Sequence, residues 1–402
     1  MRLTRGYRRW KLRSQQHIAA IQVSGREHLL DALTRDDGVL ITPNHAAHYD
    51  SAALYIAADE MRTPLYYMTA WQVFGMASRW ERFLMQRLGC FSIDRESADR
   101  KAFKQAVNIL THESSPLVIF PEGDIYHTTD RVTPFRDGAA AVAMSAARKA
   151  SRRVVVVPCG IKFWYVDNPT DKLHKVMTRL DERLSFRPQE DRSLKERIRR
   201  FAEAQLALKE IEYLGVTQEG ELVARINGLA ESILEAMSAK YTVKSVSKDI
   251  PDRVKDLRQK IIGVLDELKT KGPLDNSHHL MALSRDMEDL FFVMQLYSYP
   301  GDYLSGSPSI ERLAETIDKF EEDVLQKDIP SLRGRRRVEI RFGPPLEVPK
   351  ENAGRGFASQ LTHSMHRAVQ DILDELSVPD QTLSLVNSRH RDASGTSPSL
   401  NA

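Results

Sequence analysis

The stretch GVLITPNHAAHYDSAALYIAA, residues 38–58, reads as an apolar strand, a polar turn and a helix, in that order. Val39, Leu40 and Ile41 run into Pro43 and Asn44, which end the β-rich segment, and DSAALYIAA then opens a helix near Asp50. His45, His48 and Asp50 fall in and beside the turn. On an ideal helix His45 and Asp50 would stand about 140° apart, so they meet only if the chain turns between them. Placement after a strand supplies that turn. Three readings are open on these residues alone. They are polar groups of an ordinary connection, with Asp50 drawn to the free N–H groups of a helix start; or a base and its orienting carboxylate; or ligands of a metal.

Working outward, short β-rich runs alternate with helical patterns, which argues for an α/β sheet. Strands are expected over 38–43, 64–69, 90–94, 116–120 and 153–165, and helices over 51–61, 72–87, 97–113 and 138–150. The runs LVIF and VVVV are continuous rather than alternating, as in strands covered on both faces. Beyond residue 166 the chain becomes charged amphipathic helix until RVEIRFGPPLEV, residues 337–348, a strand with a Gly-Pro-Pro turn. The simplest arrangement returns that strand to the first sheet. The expected organisation is a basic amphipathic N-terminal segment (1–25), an α/β core (26–166), a helical insertion (167–335), a return strand and helix (336–385) and a disordered tail (386–402).

Inside the insertion the sequence repeats at a period of 28. Arg197, Arg225 and Arg253 align, followed by Phe201, Leu229 and Leu257, then by Leu206, Leu234 and Ile262, and Tyr213 matches Tyr241. Each unit reads as one long amphipathic helix, and an antiparallel bundle that packs on itself is favoured over a partner-binding module. A protein partner or self-association through 167–335 stays open. His278 and His279 point to different sides of a helix, which favours a helix-start pair over a metal site.

Composition narrows the function. Lys and Arg number 58 against 55 Asp and Glu, a net charge of +3, which makes no case for nucleic-acid binding. The first 13 residues nonetheless carry six basic side chains and no acid, with Leu3, Tyr7 and Trp10 on one helical face, the composition of an interfacial anchor. No apolar run approaches the roughly 20 residues of a spanning helix, and no apolar segment follows the basic start as in a signal peptide. Cys90 and Cys159 sit in strand-like runs and read as small buried residues of a reducing compartment.

Four further stretches decide among the three readings. NHAAHYD (44–50), FSIDR (91–95), FPEG (120–123) and VVVVPCG (154–160) occur in this order. Together they resemble the four blocks of the PlsC-type glycerolipid acyltransferases, over about residues 20–166 and 335–385. The resemblance implies a mixed, mostly parallel sheet flanked by helices, like that of glycerol-3-phosphate acyltransferase, here with a large all-α insertion. It makes His45 the base and Asp50 its orienter, acting on an acyl-CoA or acyl carrier protein thioester without a covalent acyl-enzyme. Histidine suits this task because it exchanges protons near neutral pH.

Arg95 and Arg136 are then candidates for an acceptor's phosphate, Glu122 and Gly123 for its glycerol portion, and Phe74, Trp80 and Pro158 for the acyl site. The implied acceptor is a lysophospholipid or glycerol phosphate, foremost 1-acyl-sn-glycerol 3-phosphate, with no cofactor and no metal. The expected location is cytoplasmic, peripheral on the inner face of a membrane. Two departures stand out: Asp124 after PEG, where the family often has threonine, and IYHTTDRVTPFRDG (125–138) beyond it. Two other classes are a metal-dependent hydrolase built on His45, His48 and Asp50, and an inert lipid-binding scaffold. His48 is expected to be a turn-exposed side chain.

Overall fold

A computed structural model describes residues 6, 9–10, 13–14, 16–94, 99–245, 249–270, 277–350 and 356–377, without the side chains of 266, 269–270 and 277–278. Arg95, Leu3, Tyr7, the His278 side chain and the tail 386–402 lie outside the described residues.

Eight strands form one mixed sheet. β1 (Ile18–Ser24) leads through α1 (Arg26–Thr34) to β2 (Gly38–Pro43), α2 (Asp50–Met61) and β3 (Tyr66–Ala70). Then come α3 (Trp71–Met76), α4 (Arg79–Arg87), β4 (Cys90–Ile93), α5 (Arg100–His112), β5 (Leu117–Val118), α6 (Gly138–Lys149) and β6 (Val154–Tyr165). Six helices follow: α7 (Thr170–Arg183), α8 (Leu194–Leu214), α9 (Leu222–Tyr241), α10 (Ile250–Thr270), α11 (Ser277–Tyr297) and α12 (Ile310–Asp323). The chain returns through β7 (Arg336–Phe342), β8 (Leu346–Glu347) and α13 (Phe357–Ser377). Strand order is β1-β7-β6-β2-β5-β3-β4, with β8 on β6.

β6, β2, β5, β3 and β4 run parallel, while β7 and β1 run the other way. The continuous apolar strands are explained by cover on both sides. Val155, Val157 and Ile41 face α1 and α2, whereas Val154, Val156 and Leu40 face α5, α6 and α13. Each such side chain contributes about 1.5–3 kcal/mol by leaving water.

Some sequence expectations need correction. Residues 18–24, assigned to an N-terminal amphipathic segment, are strand β1, paired with β7 from Ile18↔Arg336 to Ser24↔Arg341. The run IAAIQVS lacks strong alternation, and only a partner more than 300 residues away makes it a strand. The helix expected over 72–87 is broken, because Ser78 caps α4 with a capping box to Glu81. Met76, Trp80 and Phe83 on this stretch, and Trp71 just before it, are exposed.

Pro158 lies buried in the middle of the sheet, where a residue without an N–H would ordinarily cost a rung. Its carbonyl accepts from Gly343 N–H at 2.8 Å. A strand residue's N and C=O point to the same side, so the missing donor falls at the Gly-Pro-Pro turn where β6 exchanges β8 for β7. The next glycine on that face, Gly160, lets α13 lie on β6; a Cβ there would come 2.5 Å from Ile372 Cγ2.

The helical region has its own cores, one among α8, α9, α10 and α11 and one among α7, α8 and α12. The 28-residue period has a structural basis, since each aligned arginine pairs with an acid on the preceding helix: Arg197 with Asp181 at 2.8 Å, Arg225 with Glu210 at 2.7 Å, Arg253 with Glu231 at 2.6 Å. Tyr213 and Tyr241 both donate to α11, to Asp289 and Asp286. The third unit slips by one: Ile261 is buried and Ile262 exposed.

Candidate active site

The parallel strands β2, β5, β3 and β4 present their carboxyl ends along one edge, the usual ligand-binding edge of an open α/β sheet. The β2–β6 ladder ends at Pro43↔Cys159. Asn44 supplies the next rung with its side chain, accepting from Ile161 N–H at 2.7 Å and donating to Ile161 C=O at 3.0 Å. The main chain is thereby free to leave the sheet, and residues 45–49 make the turn that brings His45 back to Asp50.

His45 Nδ1 lies 2.9 Å from Asp50 Oδ2, and the same oxygen accepts Ala47 N–H at 2.9 Å. Asp50 opens α2, but its carboxylate turns back to the histidine loop instead of capping the helix. Its side chain is 0% exposed, whereas that of His45 is 20% exposed. Because a carboxylate only accepts, Nδ1 carries the hydrogen and Nε2 of the neutral ring holds the lone pair. Among the described residues no hydrogen bond to Nε2 is present. Phe120 stacks on the imidazole at 4.2 Å between centroids and holds its plane. This is the geometry expected of a base with a buried orienter.

Glu122 departs from its expected use. Its oxygens accept His45 N–H at 2.6 Å and Thr133 N–H at 3.0 Å, and the residue is 3% exposed. It therefore latches two loops together by their backbones, a geometry that leaves a glycerol hydroxyl little access. Burial pushes its carboxyl up to about 8, against the opposing pull of those N–H donors. Gly123, at φ 80°, lets the exposed Arg136 side chain lie on the loop; a Cβ would come 2.7 Å from Arg136 Nε. Arg136 thus sits beside the Glu122 loop as an exposed cation, with Tyr126 as a side-chain hydrogen-bond partner. Phe74 is half-buried, Trp80 is 66% exposed and Pro158 is packed beneath α13, so these three do not form one wall.

His48 is not the solvated turn residue expected. Its Nε2 lies 2.8 Å from Glu322 Oε1 of α12, and His127 Nε2 lies 3.0 Å from both oxygens of Glu322. The metal set His45, His48 and Asp50 is thereby taken apart: His45 turns to Asp50 and His48 to Glu322. Burial alone would lower the pKa of His48, but Glu322 outweighs it and holds the ring above its ordinary value.

The unusual stretch 125–138 also finds its reason here. Thr129 N–H donates to Glu315 at 3.1 Å, Arg312 pairs with Asp130 at 2.7 Å and Arg131 with Asp302 at 2.5 Å. Where the chain departs from the family pattern, it receives the helical region. Asp124 is exposed and accepts Ile125 N–H in its own turn. A cavity of about 800 Å³ lies beyond this loop among α8, α9, α11 and α12, bordered by Tyr126 and His127.

Sequence reasoning missed Asn44, Phe120, His127 and Glu322. The first two open recognised blocks, NHAAHYD and FPEG, so their position was a usable signal. Nothing local joins His127 to a glutamate 195 residues away.

Comparison with curated proteins gives no match. Residues 20–162 match the family model described as Acyltransferase, and they hold the sheet edge, the His45–Asp50 pair and the Glu122 latch. Over those residues the chain carries an acyltransferase domain of the PlsC-type glycerolipid family.

Proposed function

We propose that the protein moves a fatty acyl group from acyl-CoA or acyl carrier protein to the free hydroxyl of a lysophospholipid or glycerol phosphate, with 1-acyl-sn-glycerol 3-phosphate the favoured acceptor, in phospholipid biosynthesis. The observation that carries this reading is the His45 ring, fixed through Nδ1 by a buried carboxylate and open at Nε2. Nε2 takes the acceptor's hydroxyl proton as the oxygen attacks the thioester carbonyl. The tetrahedral intermediate collapses, the C–S bond breaks, and the imidazolium returns the proton to the leaving thiolate. Asp50 stabilises the charge on the ring between the two steps.

Arg136, with Arg95, is the proposed phosphate partner, since a guanidinium fork matches phosphate oxygens. Docking on a bilayer from the side is supported by α3 and α4, which follow β3 at the same sheet edge and bury no residue. Trp71, Met76, Trp80 and Phe83 stand exposed there among Arg79, Arg82 and Arg87, an amphipathic surface suited to a headgroup layer. Among the described residues no helix is long and apolar enough to cross a membrane. The cavity of about 800 Å³ is not assigned to the acyl chain, because Lys195, Lys209, Glu288 and Asp323 interrupt its apolar wall.

Thiol release from acyl-CoA, followed with a panel of lyso-acceptors and mass spectrometry of the lipids, tests the reaction. Phosphorylated acceptors should turn over, and Arg136→Gln should raise their KM. Full turnover by His45→Ala would sink the mechanism. Trp71→Ser/Trp80→Ser should weaken sedimentation with anionic vesicles, and unchanged binding would remove the docking surface.

A further inference from the structure

Three segments distant in sequence converge beside the base: the turn after β2, the loop 126–132 and the last helical turn of α12. They contribute His48, His127 and Glu322, whose donor atoms all lie within 4.8 Å of one another. We infer that these three side chains form a site for a divalent transition-metal cation of the zinc class, which fastens the helical insertion to the loop carrying His45.

The donor set is the first reason. Two imidazole nitrogens and one carboxylate are a zinc-type set that leaves a coordination position for water. Both histidines approach through Nε2 and meet the same oxygen, Glu322 Oε1, at 2.8 and 3.0 Å. Tetrahedral bonds of about 2.0–2.1 Å separate ligands by roughly 3.3 Å, so a small outward movement of the carboxylate admits the ion.

Space is the second. A void of about 30 Å³, enough for a water, adjoins His48 and His127, with Glu315, Asp318 and Arg336 around it; Glu322 does not line it, so it gives the two histidines room to adjust and a place for a water ligand rather than the ion's own seat. Backbone conformation is the third. His127 is 3% exposed and adopts φ 53°, a left-handed conformation that a non-glycine residue enters at a cost. The surrounding contacts of Thr129 and Asp130 with α12 keep it there.

The role is to hold position. His48 lies three residues beyond the base, and between them Ala47 N–H binds the oxygen of Asp50 that orients His45. A metal on His48 therefore fixes the turn on which the base depends, and couples it to the insertion through Glu322. This role does not require the acceptor or donor proposed above.

The test uses the full-length protein, stripped with a chelator, given zinc or cobalt and dialysed. Wild type should retain about one equivalent of metal, and the cobalt form should show the visible bands of a four- or five-coordinate ion. His48→Gln, Glu322→Gln and His127→Asn should each bind roughly 100-fold more weakly. Asparagine tolerates the left-handed backbone, and glutamine keeps a hydrogen bond to the histidines, so these variants are built to fold. Zinc at 100 times its dissociation constant should raise the melting midpoint of wild type by roughly 3–5 °C and leave the variants unmoved. A wild type that retains no metal, or variants that retain as much as wild type, overturns the site and leaves a carboxylate hydrogen-bonded to two histidines.

Discussion

Replacing Asp50 by asparagine separates the charge of the orienter from its shape. Asp50 Oδ2 accepts both His45 Nδ1–H and Ala47 N–H, while Oδ1 is buried with no hydrogen-bond partner. An asparagine can put its carbonyl oxygen in the Oδ2 position, keep both bonds and leave its NH₂ where Oδ1 stood. The stability cost should stay within about 1–3 kcal/mol, that of one unsatisfied buried group. What disappears is a buried negative charge beside a ring that becomes positive in the transition state. At about 4 Å and an effective dielectric constant near 20, that attraction is on the order of 4 kcal/mol. Each 1.36 kcal/mol is tenfold in rate, so kcat should fall by about 10³ with KM little changed. The assay is thiol release from acyl-CoA with a lyso-acceptor, beside His45→Ala and the double variant. Because base and orienter act as a unit, the double variant should be no slower than His45→Ala alone. An Asp50→Asn protein with near-normal kcat, or losses that multiply in the double variant, would refute the pairing.

Glu122 carries a pH signature. Its folded pKa is about 8 against an ordinary 4.5, so the folded state holds the proton more tightly. The stability this contributes is complete below about pH 4.5, declines as pH rises and is lost above about 8. Urea midpoints across that window should fall less steeply for Glu122→Gln than for wild type, and parallel curves would show that the carboxyl does not titrate there. Asn44→Ala leaves the buried Ile161 N–H and C=O unpaired and should cost roughly 2–5 kcal/mol in urea unfolding. Arg333, 1% exposed, pairs with Asp318 and the fully buried Glu321, tying α12 to the entry of β7. Arg333→Ala removes the pair to Asp318 and one of the cations on Glu321, which keeps Lys327 and Ser331, and should lower stability by about 1–3 kcal/mol, read as a lower melting midpoint.

What was legible in the sequence followed from local physics. β2 and its turn, the helix opening at Asp50 and the valine-rich β6 declare themselves because burial on both faces demands uninterrupted apolar residues. The 28-residue period was visible because one pairing rule, arginine to an acid on the preceding helix, recurs along the bundle. The pairing of His45 with Asp50, the proposed base and orienter, was legible for a similar reason, the two being five residues apart across one turn.

Tertiary structure decided the rest, wherever a residue's partner is remote. β1 is a strand only because β7 lies beside it, and Trp80 is exposed because, among the described residues, nothing covers its face of α4. Glu122 looked like a substrate ligand until the backbone of His45 and Thr133 occupied its oxygens. His48 could not be read from its neighbours, since what turns it from solvent is a glutamate 274 residues away. The sequence by itself determined the strand, the turn and the His45–Asp50 pair, whose interactions span a few residues. Which carboxylate each histidine meets depended on closing loops of hundreds of residues, an outcome set by the packing of the whole sheet and its inserted helices.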